Sequence, residues 1–209
     1  MATYGRRDPS DGGGGGGGGG GGEKCPPGLY RAALVGLFDL GNQPGFKPGD
    51  SPLHKVLMVW QMDKADSKGR PFTLFDSVAA YISRPGDKKK SKFAERIEAL
   101  IGAPLLDEDA ENGVDDAVLL GKTCQLFIAP SDGKYAKIGQ AMGLMGNPPM
   151  QGLTVMTEET MPKHVASFVA KARAKAVGGW KPPTPTPPAK SAVEASQGGA
   201  LPSQDEIPY

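Results

Sequence analysis

The apolar residues of this chain recur with a period of two through three successive runs, switch once to a helical period, and then return to a period of two. Strand side chains alternate between two faces and helical ones recur about every three or four positions, so this order of periods restricts the available architectures. The first two runs are Leu29–Gly41 (LYRAALVGLFDLG) and His54–Met62 (HKVLMVWQM), rich in β-branched and aromatic residues and parted by the loop NQPGFKPGDSP. In the second run Val56, Met58, Trp60 and Met62 share one face, and Lys55, Leu57, Val59 and Gln61 the other. A third run, Arg70–Ser83, follows the turn DKADSKG, and such short connections predict an antiparallel meander. Helical spacing then gathers Phe93, Ile97, Leu100 and Ile101 within Ser91–Ile101, with Gly102 as the stop signal. Beyond the acidic stretch LLDEDAENGVDDAVLLG, the segments KTCQLFIAP and KYAKIGQAMGL read as strands again, joined by the turn SDG. The last segment, TEETMPKHVASFVAKARAKAV, carries an apolar stripe of Val165, Phe168, Val169 and Ala172 behind a first-turn Pro162.

Three strands, a helix and two further strands are the element order of an OB-fold. The expected class is therefore mainly β: an OB-fold-like five-stranded barrel with a helix between strands three and four and a C-terminal helix, flanked by disordered arms. The unbroken glycines Gly12–Gly22 have no side chains to bury, so residues 1–25 read as a flexible arm. Residues 26–178 form the folded domain. From 179 to 209 the Pro, Thr, Ser, Gly and Ala content marks a second disordered segment.

Composition narrows the function. The formal net charge of +1 gives no large field of one sign, which argues against a histone-like condenser and leaves room for a local basic groove. Cys25 and Cys124 form no CxxC pair, one beside a flexible segment and the other in an apolar run, so a reducing compartment is expected. His54 and His164 are the only histidines, too few for a histidine-built metal site, and no cofactor is expected. There is no secretory h-region and no apolar run long enough for a membrane span, which predicts a soluble, cytoplasmic protein. No catalytic constellation is legible. Gly121–Thr123 (GKT) lacks the upstream glycine of a phosphate loop and leads into a strand, and the acids Asp107, Glu108, Asp109, Asp115 and Asp116 lack the order of a calcium loop. Cys124 alternates with Leu126 and Ile128 and reads as a buried small hydrophobe.

The C-terminal linker ends in Asp205, Glu206, Ile207, Pro208 and Tyr209. An OB-like domain, a Pro/Gly/Ser-rich linker and an acidic tip closing on Ile-Pro-aromatic together resemble the single-stranded DNA-binding proteins of bacteria and their phages. In that family the tail closes on an acidic run and Ile-Pro-Phe; here the acidic run is shorter and tyrosine stands last. LLGKTCQLFI and YAKIGQAMGL are similar to a block in phage-encoded proteins of this type. The resemblance implies a non-enzymatic protein that coats single-stranded DNA during replication, recombination or repair, in a bacterial or phage-infected cell. It implies recruitment of partner enzymes through the tip, and a homo-oligomer is compatible with it. The tip chemistry agrees: two acids suit a basic rim, Ile207 and Tyr209 an apolar pocket, and Pro208 limits the conformations lost on docking.

Binding single strands without sequence preference needs aromatics for base stacking and cations along the phosphates. The aromatic candidates are Trp60, Phe75, Tyr81 and Tyr135. Phe75 and Tyr81 lie on the more polar face of the third run, opposite Phe72, Leu74, Val78 and Ile82, whereas Trp60 shares its face with Val56 and Met58 and leans toward the core. Tyr135 alternates with Lys137, which favours exposure, and Tyr30, Leu34 and Phe38 read as core. The cationic candidates are Arg31, Lys55, Arg70, Arg84, Lys88, Lys89, Lys90, Lys134 and Lys137, densest in RPGDKKKSK beside Tyr81. The acidic stretch is expected to lie away from the groove or to gate it. The competing reading is a protein-interaction or virion-structural module that binds no nucleic acid and uses both arms as tethers.

Overall fold

The computed structural model describes residues 23–45, 47, 49–84, 87–132, 135–146 and 148–182. The glycine arm, most of the Pro-rich linker, Lys134 and the tip Asp205–Tyr209 lie outside them. Strand β1 runs over Gly28–Gln43, β2 over Leu53–Ala65 and β3 over Pro71–Ala79. Helices α1 (Lys92–Ile101), α2 (Asp107–Asn112) and α3 (Asp116–Leu119) follow. Then come β4 (Thr123–Ala129), β5 (Lys137–Gly143) and helix α4 (Lys163–Arg173). The acidic stretch, read as a connection, therefore holds two short helices. Tyr81 and Tyr135 fall just outside their strands.

The strands form one antiparallel five-stranded sheet in the order β3-β2-β1-β4-β5. β3 and β5 are its two ends and do not pair, so the sheet is not closed into the expected barrel. Helix α1 spans that gap. It starts where the Ser91 hydroxyl accepts the Ala94 N–H at 3.1 Å and stops at Gly102, whose left-handed φ of 73° suits glycine. From α1 the fully buried Arg96 donates through Nε to Asp76 of β3 at 3.1 Å and through Nη1 to Glu95 at 2.9 Å. The same Glu95 oxygen accepts the Ala141 N–H of β5 at 3.1 Å. One ion-pair chain thus ties the helix to both ends of the sheet.

Both faces of the sheet are buried over much of their area. Trp60, Met58, Val56, Phe72, Leu74 and Val78 make the first core with Phe93, Ile97 and Leu100 of α1, Ala110 of α2 and Leu119 of α3. The second core holds Val35, Phe38, Leu40, Leu57, Val59 and Phe75 beneath Val165 and Val169 of α4. Leu34 and Phe38 would share a face by simple alternation, yet they sit in opposite cores. The β1–β2 register shifts between Leu34 and Gly36, and that bulge exchanges the faces. Cys25 is not at a loose edge but 1% exposed in the first core. Burial pushes its thiol up to about 11 and that of Cys124 up to about 12, so both free cysteines are poor nucleophiles.

Breaking a buried ion pair from one side leaves an uncompensated charge. Arg96→Ala is expected to lower the unfolding free energy by about 3–5 kcal/mol, and the paired change Arg96→Met with Asp76→Leu to recover much of it, as read by urea denaturation.

Candidate nucleic-acid interface

Two aromatic candidates are withdrawn from solvent. Trp60 is 0% exposed in the first core, as its apolar neighbours Val56 and Met58 require. Phe75 does lie on the opposite face of β3, but α4 covers that part of the face. Phe75 is 4% exposed, stacked on His164 with ring centroids 5.9 Å apart and tilted against Phe168 at 5.7 Å. The apolar stripe of α4 needs a partner, and this half of the sheet supplies it.

A polar network holds α4 there. Arg173 donates through Nε to the Asp39 carbonyl at 2.8 Å, pairs with Glu158, and lies 3.9 Å from the Trp180 ring centroid. The Asp39 carboxylate accepts the Gly41 N–H at 2.6 Å and meets His54 Nε2 at 2.8 Å. Burial alone would raise the Asp39 pKa, but the hydrogen bonds from His54 and Gly41 and the charge of Arg173 hold it below the ordinary 3.8.

The cationic candidates separate. Arg70 is exposed but grips Asp66 through Nε at 3.0 Å and Nη2 at 2.7 Å. Arg84 pairs with Glu111 of α2 at 3.0 Å, and Lys90 pairs with Glu98 of α1. Tyr81 is half-buried, its hydroxyl donating to Asp87 at 2.9 Å. The basic connection therefore stands beside the acidic helices, and Lys88, Lys89 and the paired Lys90 are exposed on it. Lys55 is half-buried on the α4 side of β2, and Lys134 lies outside the described residues.

What remains open is the far corner of the sheet face that α4 partly covers. A segment without regular structure, residues 148–156, crosses its middle: Thr123 Oγ1 donates to the Pro148 carbonyl at 2.8 Å, Arg31 Nη2 to Pro149 at 3.4 Å and Gln61 to Gly152 at 3.2 Å. Beside this strap the ladder sets Leu29 opposite Phe127 and Phe127 opposite Gln140 in one row, and Arg31, which touches the strap, with Gln125 and Met142 in the next. Leu29 is 52% exposed and Phe127 40%. Lys137 pairs with Ala129 on the same face, and Tyr135, 44% exposed, lies two residues before β5 begins. Neither β4 nor β5 contains an acid. Of the thirteen DNA-binding candidates named from the sequence, this corner assembles Arg31, Lys137 and Tyr135. Phe127 and Leu29 were missed. The signal was present, because the alternation that buries Cys124, Leu126 and Ile128 leaves Phe127 with Gln125 on the polar side.

No family model, curated protein or solved structure matches this chain.

A lowered folded-state pKa means that the Asp39 carboxylate contributes its stability in full above about 3.8 and loses it as the pH falls through the lower folded value. The urea midpoint is therefore expected to drop on acidification below about pH 4, and Asp39→Asn to make that drop shallower, measured by tryptophan fluorescence across a pH series.

Proposed function

We propose that the chain is a non-enzymatic single-stranded DNA-binding protein that coats exposed strands during replication, recombination or repair. Its acidic Ile-Pro-Tyr tip recruits partner enzymes, in a bacterial or phage-infected cytoplasm. The observation that carries this reading is the corner formed by β1, β4 and β5. An exposed phenylalanine and leucine lie side by side on a rigid sheet, with Arg31 and Lys137 beside them and no acid on β4 or β5. Bases can stack on such an apolar floor while cations follow the phosphates. The strand order, with helices α1 to α3 between β3 and β4, supports an OB-type barrel left open between its end strands, the gap taken by α1. The tip supports recruitment through the chemistry of its sequence alone.

The test is fluorescence anisotropy of labelled oligo-dT at several salt concentrations with duplex competitor. Log affinity is expected to fall with log salt at a slope of about −0.7 per phosphate contact, with duplex competing poorly. Arg31→Ala with Lys137→Ala should make that slope shallower, whereas Phe75→Ala should reduce stability and leave the slope unchanged. An absence of binding at low salt overturns the proposal in favour of a protein-interaction or virion-structural module.

A further inference from the structure

The register of β4 and β5 slips by one residue beside Phe127: Phe127 faces Gln140, whereas Ile128 faces Ile138. Gly139 is the residue left over, a bulge in β5. Its backbone is not in the left-handed region, so conformation does not require glycine here. Space does. A Cβ on Gly139 would fall 3.0 Å from Cδ1 of Phe127 and 3.4 Å from the Phe127 carbonyl oxygen. One edge of the Phe127 ring thus rests against the bare backbone of the neighbouring strand while 40% of the residue stays open. Leu29, directly opposite on β1, extends the same floor.

We propose that Phe127, laid down by the Gly139 bulge, is the stacking platform for one unpaired base, and that Gly139 is its positioning residue. The inference rests on the single-strand reading above and adds to it a specific contact. Every base offers a π-face, so such a platform takes any sequence, and a base already paired and stacked within a duplex cannot reach it. Lys137, on the strand that carries the bulge, and Arg31, one row further on, flank the ring with the cations that the nucleotide backbone needs. An aromatic packed over a cross-strand glycine also stabilises sheets. That role alone would move stability and leave base contact untouched.

Phe127→Trp makes the platform its own reporter, since Trp60 is fully buried and Trp180 packs on Arg173. Its emission is expected to be quenched as oligo-dT saturates the protein. Phe127→Ala should weaken oligo-dT binding roughly tenfold or more. Gly139→Ala, which displaces the ring, should lower the thermal midpoint modestly and, in protein still fully folded at the assay temperature, weaken binding by a smaller factor and reduce the quenching of the tryptophan reporter. Val118→Ser, on α3 behind the opposite face, should change neither. Unchanged affinity in both Phe127→Ala and Gly139→Ala, or an unquenched tryptophan in a complex that does form, overturns the platform and leaves the single-strand reading standing. A fall in melting temperature without a fall in affinity makes the contact purely structural and overturns it too. No binding of oligo-dT by the unaltered chain overturns both.

Discussion

Arg96 holds this architecture together. A five-stranded sheet that does not close must still cover the apolar residues at its open seam, and α1 does so by lying across it. A guanidinium with no exposed surface makes sense there because two carboxylates meet it, Asp76 from one end strand and Glu95 from its own helix. Burying a charge is tolerable only when the charge is paired, so the three residues fix the orientation of the helix as much as they stabilise it. The first core forms around that seam, and the placement of α2 and α3 follows from it.

The second face obeys a different constraint. β2 and β1 bring apolar residues to both sides, and α4 with the segment preceding it covers that side only in part. The boundary of this cover decides which residues meet solvent. Phe75 lies inside it and Phe127 outside, although both are aromatic residues on the same face of one sheet. Whether a ring is buried in the core or meets solvent is decided here by how far the cover of an amphipathic helix reaches. The conformation of the ring's own strand does not decide it.

Much of the fold was legible from hydrophobic period. The five strands, helix α1 with its Gly102 stop, the Trp60 face and the terminal helix all follow from the spacing of apolar side chains. The failures have definite causes. Leu34 and Phe38 are core residues as expected, but that they serve opposite cores could not be read, because a bulge changes parity without leaving a signature that alternation can register. Phe75 was assigned to the surface because period-two reasoning sees one strand and cannot say what lies above it. Arg70, Arg84 and Lys90 looked available because a list of cations omits the carboxylates Asp66, Glu111 and Glu98 that fold beside them. The barrel was expected from element order, which cannot distinguish closure from a helix wedged into the seam.

An unclosed sheet has ends, and the end of a sheet is a template on which another chain can add a strand and begin to aggregate. At β5 that template is spoiled. The Ala141 N–H is already given to Glu95, whose oxygen is engaged by Arg96, and the extra residue Gly139 breaks the regular spacing of the strand. An incoming strand would have to prise away a carboxylate held by a buried guanidinium before gaining hydrogen bonds at that position. The contact that seats the helix is therefore also a guard on this margin of the sheet.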